Sequence, residues 1–93
     1  MKNKNILLIR KKLDKLDNNL LSIIKRRTKL VDQVIKNKKF KKDIVDRKRI
    51  KIILKNIKIK SKKRNLDTKI TKRIWMSMIN AFIDYEFRNF KKK

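Results

Sequence analysis

The stretch that decides the fold is residues 4–38, which read KNILLIRKKLDKLDNNLLSIIKRRTKLVDQVIKNK. Its apolar side chains recur at alternating steps of four and three, the spacing of a helix face that packs against other helices. These positions, called the seam below, are Ile9, Leu13, Leu16, Leu20, Ile23, Leu30 and Val34. The pattern therefore predicts one long amphipathic helix over residues 4–38.

Arg27 occupies a position on this face where the pattern requires an apolar residue. A buried charge that lacks its partner costs about 3–5 kcal/mol, so a seam arginine either extends its guanidinium to solvent or binds an anion. Lys38 follows eleven residues later, about 16 Å along the helix axis. Over part of that gap the two side chains can converge on a ligand that carries two anionic groups.

The predicted helix is too long for a compact domain of this size. At about 1.5 Å per residue it extends about 50 Å, whereas a compact chain of 93 residues has a diameter of about 30 Å. Its apolar face would lie in water unless a second chain covered it, so we predict a homodimer. Arg10 lies about 25 Å from Arg27 along the helix, but in an antiparallel dimer the partner's Arg10 can approach Arg27.

The composition favours helices and argues against several kinds of site. The chain contains no glycine, proline, cysteine or histidine, which disfavours tight hairpins, disulfides and zinc sites. Its serines have no base at a matching position, and no glycine-rich loop could hold phosphates. We therefore expect no metal and no cofactor, and any catalysis must proceed by binding and electrostatic preorganisation.

The net charge of +24 raises the alternative of a basic helical protein that binds nucleic acid. Lysine, asparagine and isoleucine, whose codons are rich in A and T, are all abundant, so we attribute the lysine excess to nucleotide bias. No specific nucleic-acid partner is expected. No apolar run is long enough to cross a bilayer, so we expect no membrane association and a cytoplasmic location.

Two shorter helices are predicted after a mobile loop around Phe40. The second begins at Asp43 or Asp46 and frays over residues 60–64, where Asn65 can take the left-handed conformation that ends helices. The third is capped by Asp67 or Thr68 and runs to about Asn89. Their apolar faces are Ile50, Ile53, Leu54 and Ile57 in the second helix, and Trp75, Ile79, Phe82 and Phe90, with Glu86, in the third. The sequence thus predicts an all-α fold in one domain over residues 1–93, with a core at 6–90 and a disordered tail at 91–93.

Glu86 is the chain's only glutamate, and it lies on the apolar stripe of the third helix between Phe82 and Phe90. A buried glutamate must be paired or protonated, so Glu86 is a candidate hydrogen-bond donor or partner for a cation. The other alternative is a solvated surface carboxylate. Asp46 and Arg49 form an i, i+3 pair at the start of the second helix, whose simplest interpretation is a surface ion pair.

Several segments together resemble the all-helical (AroQ-class, type II) chorismate mutases. They are LIRKKLDKLD at residues 8–17, Leu20-Leu21, Arg26-Arg27, a lysine eleven residues after Arg27, IVDRKR at 44–49 and NLD at 65–67. The resemblance covers residues 6–90 and implies an intertwined homodimer that converts chorismate to prephenate, on the route to phenylalanine and tyrosine.

The resemblance also implies roles for six residues. The partner's Arg10 and Arg27 would bind the two carboxylates of the substrate. Lys38 and Glu86 would be the catalytic pair that donates to the ether oxygen. Arg49 would add positive charge to the pocket, and Asp46 would help to shape it. Glutamate donates a hydrogen bond only when it is protonated, so we expect activity to fall as the pH rises.

One departure leaves a second substrate open. The family usually has glutamate after the position of Arg49, where it holds the ring hydroxyl of the substrate, and this chain has Ile50. In this respect the chain resembles the related isochorismate-pyruvate lyases, which share the fold and have an apolar residue at this position. A different class of function is a structural helical dimerisation module, in which Arg27 has no ligand.

Overall fold

The computed structural model describes residues 3–91, and these form an all-helical structure. Its elements are α1 (Lys4–Asn37), a single turn of 3₁₀ helix (Lys41–Asp43), α2 (Arg47–Lys63) and α3 (Thr68–Asn89). The all-α prediction with a very long first helix is therefore confirmed, and α1 ends one residue before the predicted position. The disordered tail predicted at 91–93 falls mainly on residues 92 and 93, which lie outside the described range.

The chain divides between Leu30 and Val31 into two compact units. The first unit consists of the N-terminal part of α1, where the seam side chains are exposed in the single chain. Leu16 and Leu30 are each 61% exposed, and Leu13 is 52% exposed. Since these are large apolar side chains, this half of α1 is amphipathic without burying its apolar face.

The second unit consists of the end of α1, the 3₁₀ turn, α2 and α3, and within it α2 and α3 pack against each other. The predicted faces are confirmed: Ile50, Ile53, Leu54 and Ile57 are half-buried, and Ile79 is buried. Ile35 and Ile44 are also buried. These residues form the small core that supports the end of α1 and the turn that follows it.

The boundaries of α2 and α3 follow from short polar side chains. Asp46, rather than Asp43, caps the N-terminus of α2 and accepts a hydrogen bond from Arg49 N–H at 3.0 Å. Asp67, rather than Thr68, caps the N-terminus of α3 and accepts a hydrogen bond from Lys69 N–H at 2.8 Å. Both aspartates thus satisfy amide groups that have no partner within the first turn of a helix.

The predicted fraying of residues 60–64 is wrong, because α2 continues to Lys63 and closes with a Schellman motif. Asn65 takes the expected left-handed conformation with φ 56°. Leu66 N–H donates to Ser61 O at 2.9 Å, and Asn65 N–H donates to Lys62 O at 3.1 Å. The last carbonyl groups of the helix are therefore satisfied, which removes the reason for the end to unwind.

The loop predicted around Phe40 is more regular than expected. Asp43 N–H donates to Phe40 O at 3.0 Å and Ile44 N–H donates to Lys41 O at 3.2 Å, which closes the 3₁₀ turn. Ile44, with only 3% of its surface exposed, anchors the turn in the core. None of the helices within residues 3–91 has the length and apolarity needed to span a bilayer.

Candidate active site

Lys38 and Glu86 form an ion pair in the second unit. Lys38 Nζ is 3.1 Å from Glu86 Oε1, and it also donates to Ile44 O at 3.3 Å. The side chains are only 20% and 11% exposed. The structure therefore brings together the two residues that the sequence predicted as the catalytic pair, although they are 48 positions apart in the chain.

Three local features place this pair. Lys38 comes directly after α1, and its N–H donates to Ile35 O at 3.2 Å, so its backbone continues the last turn of the helix. Ile44 is buried and holds the following turn close to the core. Glu86 lies seven residues after buried Ile79 on α3, a spacing of two helical turns, so both side chains share one face.

A second polar contact beside the pair was not predicted from the sequence. Tyr85 Oη donates a 2.7 Å hydrogen bond to Asp32 Oδ1 near the end of α1. That hydrogen bond, followed by burial and by the negative charge of Asp32, raises the pKa of Tyr85 above its usual 10.0, and Arg88 opposes the rise. Arg88 also contacts the Tyr85 ring and forms an exposed ion pair with Asp84 at 3.3 Å.

Asp46 and Arg49 are both at the start of α2, but the carboxylate of Asp46 accepts a hydrogen bond from a backbone amide. Its Oδ1 accepts from the N–H of Arg49, not from the guanidinium. The side chain of Arg49 is exposed. The predicted surface ion pair is therefore replaced by a helix cap, which leaves the positive charge of Arg49 available to an anion.

Arg10 and Arg27 belong to the first unit, on α1. Arg10 is exposed and Arg27 is half-buried. They are 17 residues apart, which corresponds to about 25 Å along a continuous helix. One small ligand cannot contact both arginines of the same chain.

A cavity of about 550 Å³ in the second unit is lined by residues of α2 and α3, among them Leu54, Ile57 and Thr71. None of the six candidate site residues lines it. The Lys38–Glu86 pair is the better candidate for chemistry, because a half-buried cation held by a carboxylate can act on a ligand oxygen. Within residues 3–91 no group of three or more acidic, cysteine or histidine side chains could hold a metal ion.

These features define an all-helical protein with an ion pair of low exposure in its second unit. A half-buried ammonium group can stabilise negative charge on a ligand oxygen, and the carboxylate beside it holds that ammonium in place. The family model for chorismate mutase type II matches residues 9–87, and the chain belongs to this family, whose members are isomerases. No curated protein and no solved structure matches the chain significantly.

Proposed function

We propose that this chain converts chorismate to prephenate in a site centred on Lys38 and Glu86. The observation that carries the proposal is the ion pair itself, in which half-buried Lys38 and buried Glu86 are 3.1 Å apart, in a chain whose residues 9–87 match the family. The rearrangement is pericyclic: one carbon–oxygen bond breaks while one carbon–carbon bond forms within the same molecule. It therefore needs no nucleophile and no cofactor, and the cytoplasmic location stays a prediction of the sequence.

The work of the site is to hold the reactive conformer and to stabilise charge on the ether oxygen. As the carbon–oxygen bond breaks, negative charge grows on that oxygen, and the Lys38 ammonium donates to it. Arg27 binds one carboxylate of the substrate and Arg10 of the partner subunit binds the other. Arg49 adds positive charge at the start of α2, and Asp46 shapes that part of the pocket through its cap.

The homodimer is part of this proposal. The exposed seam of α1 supports it, because side chains such as Leu16, 61% exposed in the single chain, gain by burial against a second copy. The helix geometry supports it as well, since Arg10 and Arg27 of one chain are too far apart to bind one small ligand. Site and dimer therefore require each other.

The first test is turnover of chorismate by the purified protein, followed by ultraviolet absorbance and product chromatography. Removal of one positioned donor typically lowers kcat by about 10²–10³, so Lys38→Met should lower kcat by that order. Lys39→Met is the matched control, because Lys39 is the exposed neighbour with the same charge. Equal turnover in the two variants would contradict the role of Lys38, and no turnover by the folded wild type would contradict the proposal.

Glu86 is the second member of the site in this proposal. In the structure its carboxylate accepts from Lys38. Glu86→Leu, which removes that acceptor, should lower kcat, whereas Glu86→Gln, which keeps an acceptor oxygen and adds an amide donor, should retain activity. Asp84→Asn, which changes an exposed carboxylate two residues earlier, should keep the wild-type kcat.

The second candidate substrate is isochorismate, and Ile50 is the observation that favours it. Ile50 is a half-buried apolar residue that directly follows Arg49, where an acid is expected to hold the ring hydroxyl of chorismate. A hydroxyl without its acceptor costs about 1–3 kcal/mol. Assays with both substrates, on the wild type and on Ile50→Glu, separate the two reactions: release of pyruvate from isochorismate identifies a lyase, and improved turnover of chorismate in Ile50→Glu identifies a weakly binding mutase.

A further inference from the structure

Three consecutive residues of α3 contact three different points near the end of α1. Tyr85 donates to Asp32 on α1, and Glu86 pairs with Lys38 directly after α1. The ring of Phe87 lies under Lys41 Nζ, 5.8 Å from the ring centroid. All of these residues belong to the second unit. This segment of α3 is therefore held from several directions, and Glu86 is in the middle of it.

The hydrogen bond of Tyr85 is well suited to fix the rotation of α3. Adjacent side chains on a helix point about 100° apart, so Tyr85 and Glu86 contact the α1 end from two directions. A rotation of α3 that relaxed one contact would strain the other. The phenol is rigid, and at 2.7 Å its hydrogen bond to a carboxylate has the length of a strong, charge-assisted bond.

We propose that Tyr85 and Asp32 form a positioning pair that sets the rotation of α3 and thereby holds Glu86 against Lys38. Neither residue touches the substrate in this scheme, because the hydroxyl of Tyr85 and the carboxylate of Asp32 are hydrogen-bonded to each other. The inference rests on the proposed function for its effect on catalysis. Its structural part concerns the Lys38–Glu86 contact alone and can be measured without substrate.

The composition of the chain makes that measurement direct. Glu86 is the only glutamate, and Tyr85 is the only tyrosine. Labelling with glutamate enriched in ¹³C at the side-chain carboxyl carbon therefore gives one resonance that reports Glu86. The position of this resonance in Lys38→Met defines the state in which the carboxylate has lost its cation.

The test compares the wild type with Tyr85→Phe, which removes only the hydroxyl. We expect the Glu86 resonance to move toward its position in Lys38→Met. We also expect kcat to fall by about tenfold to a hundredfold, the scale of a small misplacement, while KM changes by less than about twofold. Asp32→Asn keeps an acceptor oxygen for the phenol. This variant should therefore retain most of the wild-type kcat and a Glu86 resonance close to that of the wild type. Far-ultraviolet circular dichroism checks that each variant is folded.

Arg88→Leu is the matched control, since it removes another contact of the same tyrosine and leaves the hydroxyl bond intact. This control should keep the wild-type resonance and kcat. A wild-type resonance in Tyr85→Phe would overturn the proposal whether or not the protein turns over chorismate. A shifted resonance with unchanged kcat in an active protein would also overturn it. Inactivity of the wild type would count against the proposed function instead, and the resonance would still decide the role of Tyr85.

Discussion

The Tyr85 phenol is held in its neutral form by its surroundings. It donates to Asp32 at 2.7 Å, and that bond, with burial and the charge of Asp32, raises the pKa of the phenol above 10.0. Because the folded pKa is higher than the unfolded one, the contribution of Tyr85 to stability is fully present below pH 10 and is lost as the pH rises through the folded pKa. At neutral pH the contact is therefore intact.

This leads to a prediction for a single spectroscopic signal. Since Tyr85 is the only tyrosine, the absorbance of tyrosinate near 295 nm reports its ionisation alone. Asp32→Ala should lower the midpoint of that titration toward 10.0, because the acceptor and its charge are both removed. Asp84→Ala, which removes an exposed carboxylate one residue before Tyr85, should leave the midpoint near the wild-type value. Equal midpoints in Asp32→Ala and the wild type would contradict the hydrogen bond.

At the same scale, part of the candidate site can be predicted from the sequence. Lys38 and Glu86 each have a local signal: a lysine at a fixed spacing from Arg27, and an acid on an apolar stripe. The Tyr85–Asp32 bond joins residues 53 positions apart, and neither residue departs from the pattern of its own helix. Only the packing of α3 beside the end of α1 brings them together, so no local pattern could have identified the bond.

At the scale of the elements, the helix ends were predictable where one side chain decides them. Asp46, Asp67 and Asn65 all take the roles that their chemistry indicates. The continuation of α2 to Lys63 was not predicted, because the lysine-rich composition of residues 60–64 suggests fraying. Buried Ser61 explains the difference: its Oγ lies 2.6 Å from Ile57 O and 2.8 Å from Thr71 Oγ1 on α3. Contact with a second helix thus stabilises an end that is weak by composition.

Asn65 offers a prediction for the turn between α2 and α3. Its φ is 56°. This conformation costs most residues with a β-carbon about 1–2 kcal/mol, whereas glycine and short polar residues such as asparagine take it readily. Asn65→Ala should therefore lower the free energy of unfolding by about 1 kcal/mol, whereas Asn65→Gly should retain or raise it. Urea unfolding at fixed protein concentration, followed by the fluorescence of Trp75, measures both changes.

Asn56→Ala is the control for this prediction, because Asn56 is an exposed residue inside α2. Alanine is the better helix former there, so this variant should be as stable as the wild type or more stable. If Asn65→Ala and Asn65→Gly unfold at the same urea concentration, the left-handed conformation does not limit the stability of the turn.

At the scale of the whole molecule, the main question is what covers the seam. Its leucines and isoleucines are exposed over the first unit, and the second unit has its own small core of Ile35, Ile44 and Ile79. The sequence predicted the long helix from its period, and the same period predicts an apolar face that needs a second chain. If each site of a dimer uses residues of both chains, two inactive variants can regain activity when they are mixed, whereas two inactive monomers cannot.

Mixed dimers test this arrangement directly. Arg10→Ala and Lys38→Met should each be inactive alone. In a mixed dimer, the Arg10→Ala chain still has Lys38, and the Lys38→Met chain supplies an intact Arg10 to it, so one of the two sites is complete. After the subunits exchange at random, about a quarter of the wild-type activity should return, because half the dimers are mixed and each has one complete site. Arg27→Ala mixed with Lys38→Met is the control, and it should recover nothing, since the proposed function takes Arg27 and Lys38 of each site from one chain. No recovery in the first mixture, or equal recovery in both, would contradict a site completed by the partner's Arg10.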